Sequence, residues 1–296
     1  MGRSGSTLLA GMLGQLPGVF AAGELTHIWD RGIRQNQLCG CGRPFLECPF
    51  WTEVLGAAFG GKEPLDYEEI EDLRSSVCAL RCVPQLALPR LRTQRFRTRL
   101  QRYSGRLRLL YQAIRDVTGC DVIVDSSKDP PEAFLLRSMD DIDLAIVHLV
   151  RNSNAVAYAW QKRKIRPEIY WTTAYYARYS FIKTALAWDA FNFLIGRLRS
   201  AVPYALIRYE DIVRQPREAV GNVCRLVGLA DHGLTFIGDD TVELRPGHAV
   251  SGAAARFADG VVPLELDIEW KAKAPRVQRA IVNALTLYWQ RKYGYV

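Results

Sequence analysis

The chain has 296 residues, 49% hydrophobic and 24% charged, with a formal net charge of +8 and a pI near 9.2. That length allows one large α/β domain or two small ones, and no apolar run reaches the roughly 18–20 residues that a membrane span needs. The positive charge favours an anionic partner without choosing among nucleotide, nucleic acid and lipid headgroup. Seven cysteines, an odd number with no signal peptide, predict a reducing, cytoplasmic compartment. Gly2 with Ser6 imitates a myristoylation site, and Arg3 with Leu8 to Phe20 imitates a signal peptide; Pro17 and the interspersed glycines make the latter a poor signal core.

In chain order, residues 8–16 read as an amphipathic helix stopped by Pro17-Gly18, and residues 32–62, rich in Gly, Cys and Pro, as loop with short helices. Residues 66–111 are helical in pattern and basic towards their end. D-V-I-V at 121–124 predicts a strand that runs into the turn D-S-S-K-D-P-P and a helix from about Glu132. The near-continuous apolar run at 144–150 reads as a parallel strand buried on both faces, followed by R-N-S-N and a helix from about Ala155. Residues 204–207 form a third predicted strand, ending in R-Y-E-D before a helix from about Arg217. Strand, loop and helix recurring in this order predict an α/β fold: a P-loop-type, doubly wound parallel sheet flanked by helices. We read residues 1–296 as a single domain with a mostly helical, basic insertion at about 60–118. Ligands of such sheets bind at the carboxyl ends of the strands, where all the motifs below fall.

Arg3-Ser4-Gly5-Ser6-Thr7, directly before a helix, has the chemistry of a phosphate cradle. Gly5 allows close backbone approach, successive amides and the helix N-terminus face the anion, the hydroxyls add donors, and Arg3 adds a cationic fork. A capped helix start with an incidental glycine is the plainer alternative. A Walker A loop needs Lys after its second glycine; here Ser6 stands there and the cation has moved upstream to Arg3.

At this point the chain resembles the sulfotransferases that use 3′-phosphoadenosine-5′-phosphosulfate (PAPS), in their carbohydrate and tyrosylprotein branch. G-R-S-G-S-T-L-L is similar to the family's 5′-phosphosulfate loop, and V-D-S-S-K-D-P at 124–130 to a second active-site loop with a functional lysine. H-L-V-R-N-S-N-A-V-A-Y-A at 148–159 is similar to the 3′-phosphate strand-loop-helix, and I-R-Y-E-D-I at 207–212 to the R-Y-E-D strand end.

The resemblance implies transfer of a sulfuryl group from PAPS to a hydroxyl, leaving 3′-phosphoadenosine-5′-phosphate (PAP). Glu24, in A-A-G-E-L-T, becomes the candidate base, with His27 as the alternative. Lys128 and Arg3 would hold the sulfonate and stabilise the leaving oxygen; Arg3, Ser4, Gly5, Ser6 and Thr7 would form the cofactor loop. Arg151 is implied as the 3′-phosphate ligand. A family serine eight residues on is replaced by Ala159, with Ser153 or Asn154 as substitutes. Tyr209 is implied beside the adenine, and Arg256, an exposed loop arginine by default, as a residue closing over the nucleotide. A sulfuryl group carries one charge against two on a phosphoryl group, so arginine and lysine suffice and no metal is expected. V-I-V-D, ending at Asp125, is the rival Mg²⁺-holding strand of a P-loop kinase using ATP. A non-catalytic anion- or membrane-binding protein is the third reading. The family has an apolar strand before its first loop; here none precedes it, which predicts a gap in the middle of the sheet.

Two features stand outside that scheme. Cys39, Cys41 and Cys48 cluster in C-x-C-x₆-C, which is not a standard zinc spacing; zinc with His27, a disulfide, and packed or free thiols all stay open. Nine arginines between Arg90 and Arg115 fit a solvated helical face, an acceptor-binding lid, or a peripheral membrane patch for a lipid-linked acceptor. No nucleic-acid module accompanies them. The expected acceptor is a small molecule or glycolipid: a hydroxyl of a sugar, glycolipid or secondary metabolite.

Overall fold

Gly5, in a left-handed conformation, caps the first helix, α1 (Ser6–Leu13), whose Leu9, Met12 and Leu13 are buried. The computed structural model describes residues 1–60, 66–230 and 233–296; residues 61–65 of the expected insertion therefore lie outside the described residues. After Pro17-Gly18 the chain extends as β1 (Val19–Gly23), which pairs in parallel with β2 (Val122–Asp125) and stops directly before Glu24. The sequence pattern did not predict β1. V-F-A-A-G is short and rich in small residues, and it becomes a strand because β2 supplies the partner.

A π turn over Ile28–Arg34 leads to α2 (Pro49–Phe59), α3 (Tyr67–Val77), α4 (Val83–Ala87) and the long α5 (Gln94–Thr118). The stretch read as helical over 66–111 holds three α-helices, with Pro84 in the first turn of α4 and Pro89 opening the short turn after it, positions where proline starts a helix but cannot continue one. On α5, Phe96, Leu100, Tyr103, Leu107, Leu110 and Ile114 are buried at helical spacing and pack with Trp29, Trp51 and Leu135. The insertion therefore shares the main core. Its opposite face is solvated, and Arg99, Arg102 and Arg108 pair there with Asp72, Glu69 and Asp141.

Then follow α6 (Pro130–Arg137), β3 (Ile146–Val150), α7 (Ser153–Ala159), α8 (Phe181–Gly196), β4 (Tyr204–Arg208), α9 (Tyr209–Arg214) and α10 (Pro216–Leu226). β3 pairs in parallel with β4, from Ile146 opposite Tyr204 to Val150 opposite Arg208. β5 (Thr241–Leu244) and β6 (Gly260–Pro263) form an antiparallel pair, followed by α11 (Glu269–Lys273) and α12 (Arg276–Lys292). The fold is mixed α/β, and among the described residues its parallel strands form two pairs, β1 with β2 and β3 with β4. A cavity of about 710 Å³ lies beside both pairs, lined by β2, β3 and α1. Among the described residues no helix is long and apolar enough to cross a membrane.

Candidate active site

The carboxyl ends of β1 and β2 deliver Glu24 and Lys128 to one point. Lys128 Nζ donates to Glu24 Oε1 and to the Ser126 carbonyl at 3.1 Å, and both side chains are largely buried. Arg31 Nη1 and His27 Nε2 stand 3.7 and 3.6 Å from Glu24 Oε2, and Ser251 Oγ donates to that oxygen at 3.3 Å. Burial pushes the Glu24 carboxyl up, but the charge and hydrogen bond of Lys128, with His27 and Arg31 behind it, hold it below the usual range. Burial, and after it the Arg31 charge, lowers His27 to about 4. The imidazole is therefore neutral near pH 7, and Glu24 is ionised.

Asp125 stitches these strand ends together. Its Oδ1 accepts from the amides of Ser127 at 2.9 Å and Leu25 at 3.4 Å and from Ser127 Oγ, and its Oδ2 accepts from Tyr111 at 2.7 Å. Ser127 Oγ in turn accepts from the Thr26 amide at 3.0 Å. A carboxylate so occupied has little capacity left for Mg²⁺, which speaks against the Walker B role.

The loop before α1 is tied to this cluster through the segment that carries Ser251, where the Ala253 amide donates to Thr7 Oγ1 at 3.2 Å. Arg3 and Lys128 are two of only three non-glycine described residues with positive φ, +69° and +53°. Such strain persists where surroundings over-determine it, and it gathers at ligand sites. The amides of Ser6, Thr7 and Leu8 precede the first intrahelical bond, from the Leu9 amide to the Gly5 carbonyl at 3.1 Å. Arg151, at the end of β3, donates to the Arg3 carbonyl at 3.1 Å and to Asp267, and its guanidinium lies 4.4 Å from the centre of the Tyr209 ring. Tyr209 packs on Gly5 so closely that a Cβ there would lie 2.5 Å from the ring. Arg3 lies against the Trp160 and Tyr176 rings, at 5.1 and 4.6 Å. The Nε atoms of Arg3, Arg151 and Arg256 are buried without a hydrogen-bond partner. Buried donors so placed fit an anion, and the amides of Ser6 to Leu8 with the hydroxyls of Ser6 and Thr7 add to them; the Ser4 hydroxyl is turned away, donating to the Met1 carbonyl at 2.9 Å.

The structure brings Arg3, the loop, Glu24, Lys128, Arg151 and Tyr209 together and places three residues differently. Ser153 is buried with its hydroxyl 2.8 Å from Thr286 Oγ1, turned towards α12. Asn154 donates to Asn283 at 2.6 Å. Both side chains are thus engaged with α12. Arg256 is not an exposed loop arginine: it is 7% accessible and donates to the carbonyls of Gly252 and Leu38. Sequence reasoning missed Arg31 and Ser251, which bond each other at 2.8 Å beside Glu24. Arg31 follows Glu24 by seven residues; Ser251 sits in the Gly/Ala-rich loop noticed only for Arg256.

No known family profile matches the chain, and no curated protein matches it. Two solved structures are similar. The sulfotransferase domain of the Synechococcus olefin synthase is 20% identical, with a TM-score of 0.48 over 97% of this chain and 91% of that one. The sulfotransferase domain from the curacin biosynthetic pathway is 15% identical, with a TM-score of 0.47 over 95% and 93%. Both are sulfotransferase domains. Likenesses at this level leave the function to be argued from the site's own residues.

Proposed function

We propose that the chain is a sulfotransferase of doubly wound P-loop type that moves a sulfuryl group from PAPS to an alcohol. The observation that carries this reading is the meeting of Glu24 and Lys128 beside a phosphate-type loop flanked by unpartnered arginine nitrogens. When bound, PAPS supplies a sulfuryl group activated by its 5′-phosphate. Arg3 and the amides of Ser6 to Leu8 hold that anionic end, and Arg151 holds the far phosphate with Tyr209 beneath it. Glu24 accepts the proton of the acceptor hydroxyl as its oxygen forms the new S–O bond. The bond from sulfur to the 5′-phosphate oxygen breaks, and its electron pair leaves with PAP, against Lys128. An anion in the loop competes with Glu24 for the Lys128 ammonium. Loss of that partner lets burial lift the Glu24 carboxyl, which makes it a stronger base.

The acceptor is a hydroxyl of a sugar, glycolipid or secondary metabolite. Thermal unfolding with PAP, ATP-Mg and AMP tests the reading. Selective stabilisation by PAP is expected. A magnesium-dependent response to ATP would overturn it in favour of a kinase, and no response to any nucleotide in favour of a non-catalytic anion-binding protein.

A further inference from the structure

The cysteine cluster that the transfer chemistry does not use gains a fourth member in three dimensions. The thiols of Cys39, Cys41 and Cys48 and a ring nitrogen of His248 offer one ligand atom each, all within 4.8 Å of one another. Cys48 Sγ is 3.3 Å and Cys39 Sγ 3.9 Å from His248 Nδ1, and Cys41 Sγ is 3.7 Å from Cys48 Sγ. Zn–S bonds of about 2.3 Å and a Zn–N bond of about 2.0 Å put tetrahedral ligand edges at about 3.8 Å for S–S and about 3.5 Å for S–N. The cysteines are free; the Cys41–Cys48 separation of 3.7 Å matches the S–S edge, and the two distances to His248, 3.3 and 3.9 Å, bracket the S–N edge. His27, the fourth ligand that sequence order offered, lies instead against Glu24.

We propose that Cys39, Cys41, Cys48 and His248 form a closed, structural Cys₃His zinc site that clamps the loop carrying Ser251 to the 39–48 loop. Each thiol gives up its proton as Zn²⁺ binds, so the site releases three protons and carries a net charge of −1. Arg256 supplies the balancing charge: it is buried and bonded to the carbonyl of Leu38, next to the first ligand, at 2.9 Å. The ligands are already oriented by packing. Phe50 stacks on the His248 ring at 4.7 Å and 15°, and Trp51 Nε1 donates to the His248 carbonyl at 2.7 Å. The Gly40 amide donates to the Ala249 carbonyl at 3.0 Å, and a Cβ on Gly40 would meet the Gly247 carbonyl oxygen at 2.6 Å. The two loops can close this far only with glycine at that position.

The clamp reaches the transfer site through three residues. Three positions beyond His248, Ser251 donates to Glu24, and the amide of Ala253 donates to Thr7 at 3.2 Å. Val250 donates its amide to the carbonyl of Ala22 in β1 at 2.9 Å. Metal at the cluster therefore positions both the base and the phosphate loop without touching the reacting atoms.

Elemental analysis of the full chain produced in zinc-supplemented medium is expected to find one zinc per chain. The cobalt-substituted protein should show intense visible absorption of tetrahedral geometry and thiolate-to-cobalt charge transfer in the near ultraviolet. His248→Ala should bind zinc roughly 100-fold more weakly or worse. His248→Cys should keep one equivalent, and His27→Ala should keep the wild-type metal content. Where His248→Ala fails to fold, the cobalt spectrum of the unmutated chain decides alone. Metal-free protein with three thiols titratable in the native state would overturn the proposal. So would a Cys41–Cys48 disulfide in the mass spectrum, or unchanged zinc affinity in folded His248→Ala.

Discussion

Gly5→Ala tests whether the turn before α1 is built as described. Gly5 has φ +86°, and a Cβ there would lie 2.5 Å from Tyr209 Cδ2. An L-residue in that region costs about 1–2 kcal/mol. Ordinary carbon contacts begin near 3.5 Å, so the ring must retreat by about 1 Å. It is not free to do so, because its hydroxyl donates to the Glu265 carbonyl at 3.2 Å and Arg151 lies over its face. Overpacking of this kind costs about 1–3 kcal/mol, so the total is about 2–5 kcal/mol. At roughly 2 °C per kcal/mol for a chain of this size, calorimetry should show Tm falling by about 4–10 °C. Titration with PAP should show affinity down about tenfold or more, because the displaced ring carries Arg151 with it. Gly5→Ala/Tyr209→Ala should relieve the clash and keep the φ penalty, so that the double variant loses less than the sum of the singles. A Gly5→Ala protein within about 0.5 kcal/mol of the parent, with unchanged PAP affinity, would refute the reasoning.

Four further outcomes are expected. Glu24→Gln should keep PAP affinity near that of the parent while turnover falls roughly 10²- to 10⁴-fold; unchanged turnover would remove Glu24 as the base. The same base must be ionised to act, so kcat/KM should hold until pH drops below the ordinary carboxylate range, while the acid limb of kcat lies at higher pH once an anion has drawn Lys128 away; identical acid limbs would discard that exchange. Arg151→Ala should weaken PAP binding, measured calorimetrically, and equal affinity would rule Arg151 out of the 3′-phosphate site. Burial lifts Glu132 from 4.5 to about 7, with Cys78 donating to it at 2.9 Å. Between those values the folded chain binds more protons than the unfolded one, so stability should fall as pH rises, by about 3 kcal/mol at most. Urea melts of Glu132→Gln should lack that slope; a slope equal to the parent's would assign it elsewhere.

The readable parts of this protein are those whose physics is local. The loop before α1, the turn after β2 and the buried run of β3 announce themselves through glycine, turn chemistry and apolar periodicity over a few residues. Elements whose reason lies in a distant partner stayed hidden. V-F-A-A-G is a strand because it pairs with β2, and β5 and β6 pair with each other across about 20 residues. Arg256 looks like an exposed loop residue until the carbonyls of Gly252 and Leu38 are seen around it. The fourth member of the cysteine cluster lies 200 residues beyond Cys48, where no spacing rule reaches. Sequence alone determined which chemistry the chain carries, because side-chain types and short-range spacing set donors, bases and turns. Only the tertiary structure decided which of those groups share a neighbourhood, because burial and packing act between segments whose separation along the chain bears no relation to their distance in space.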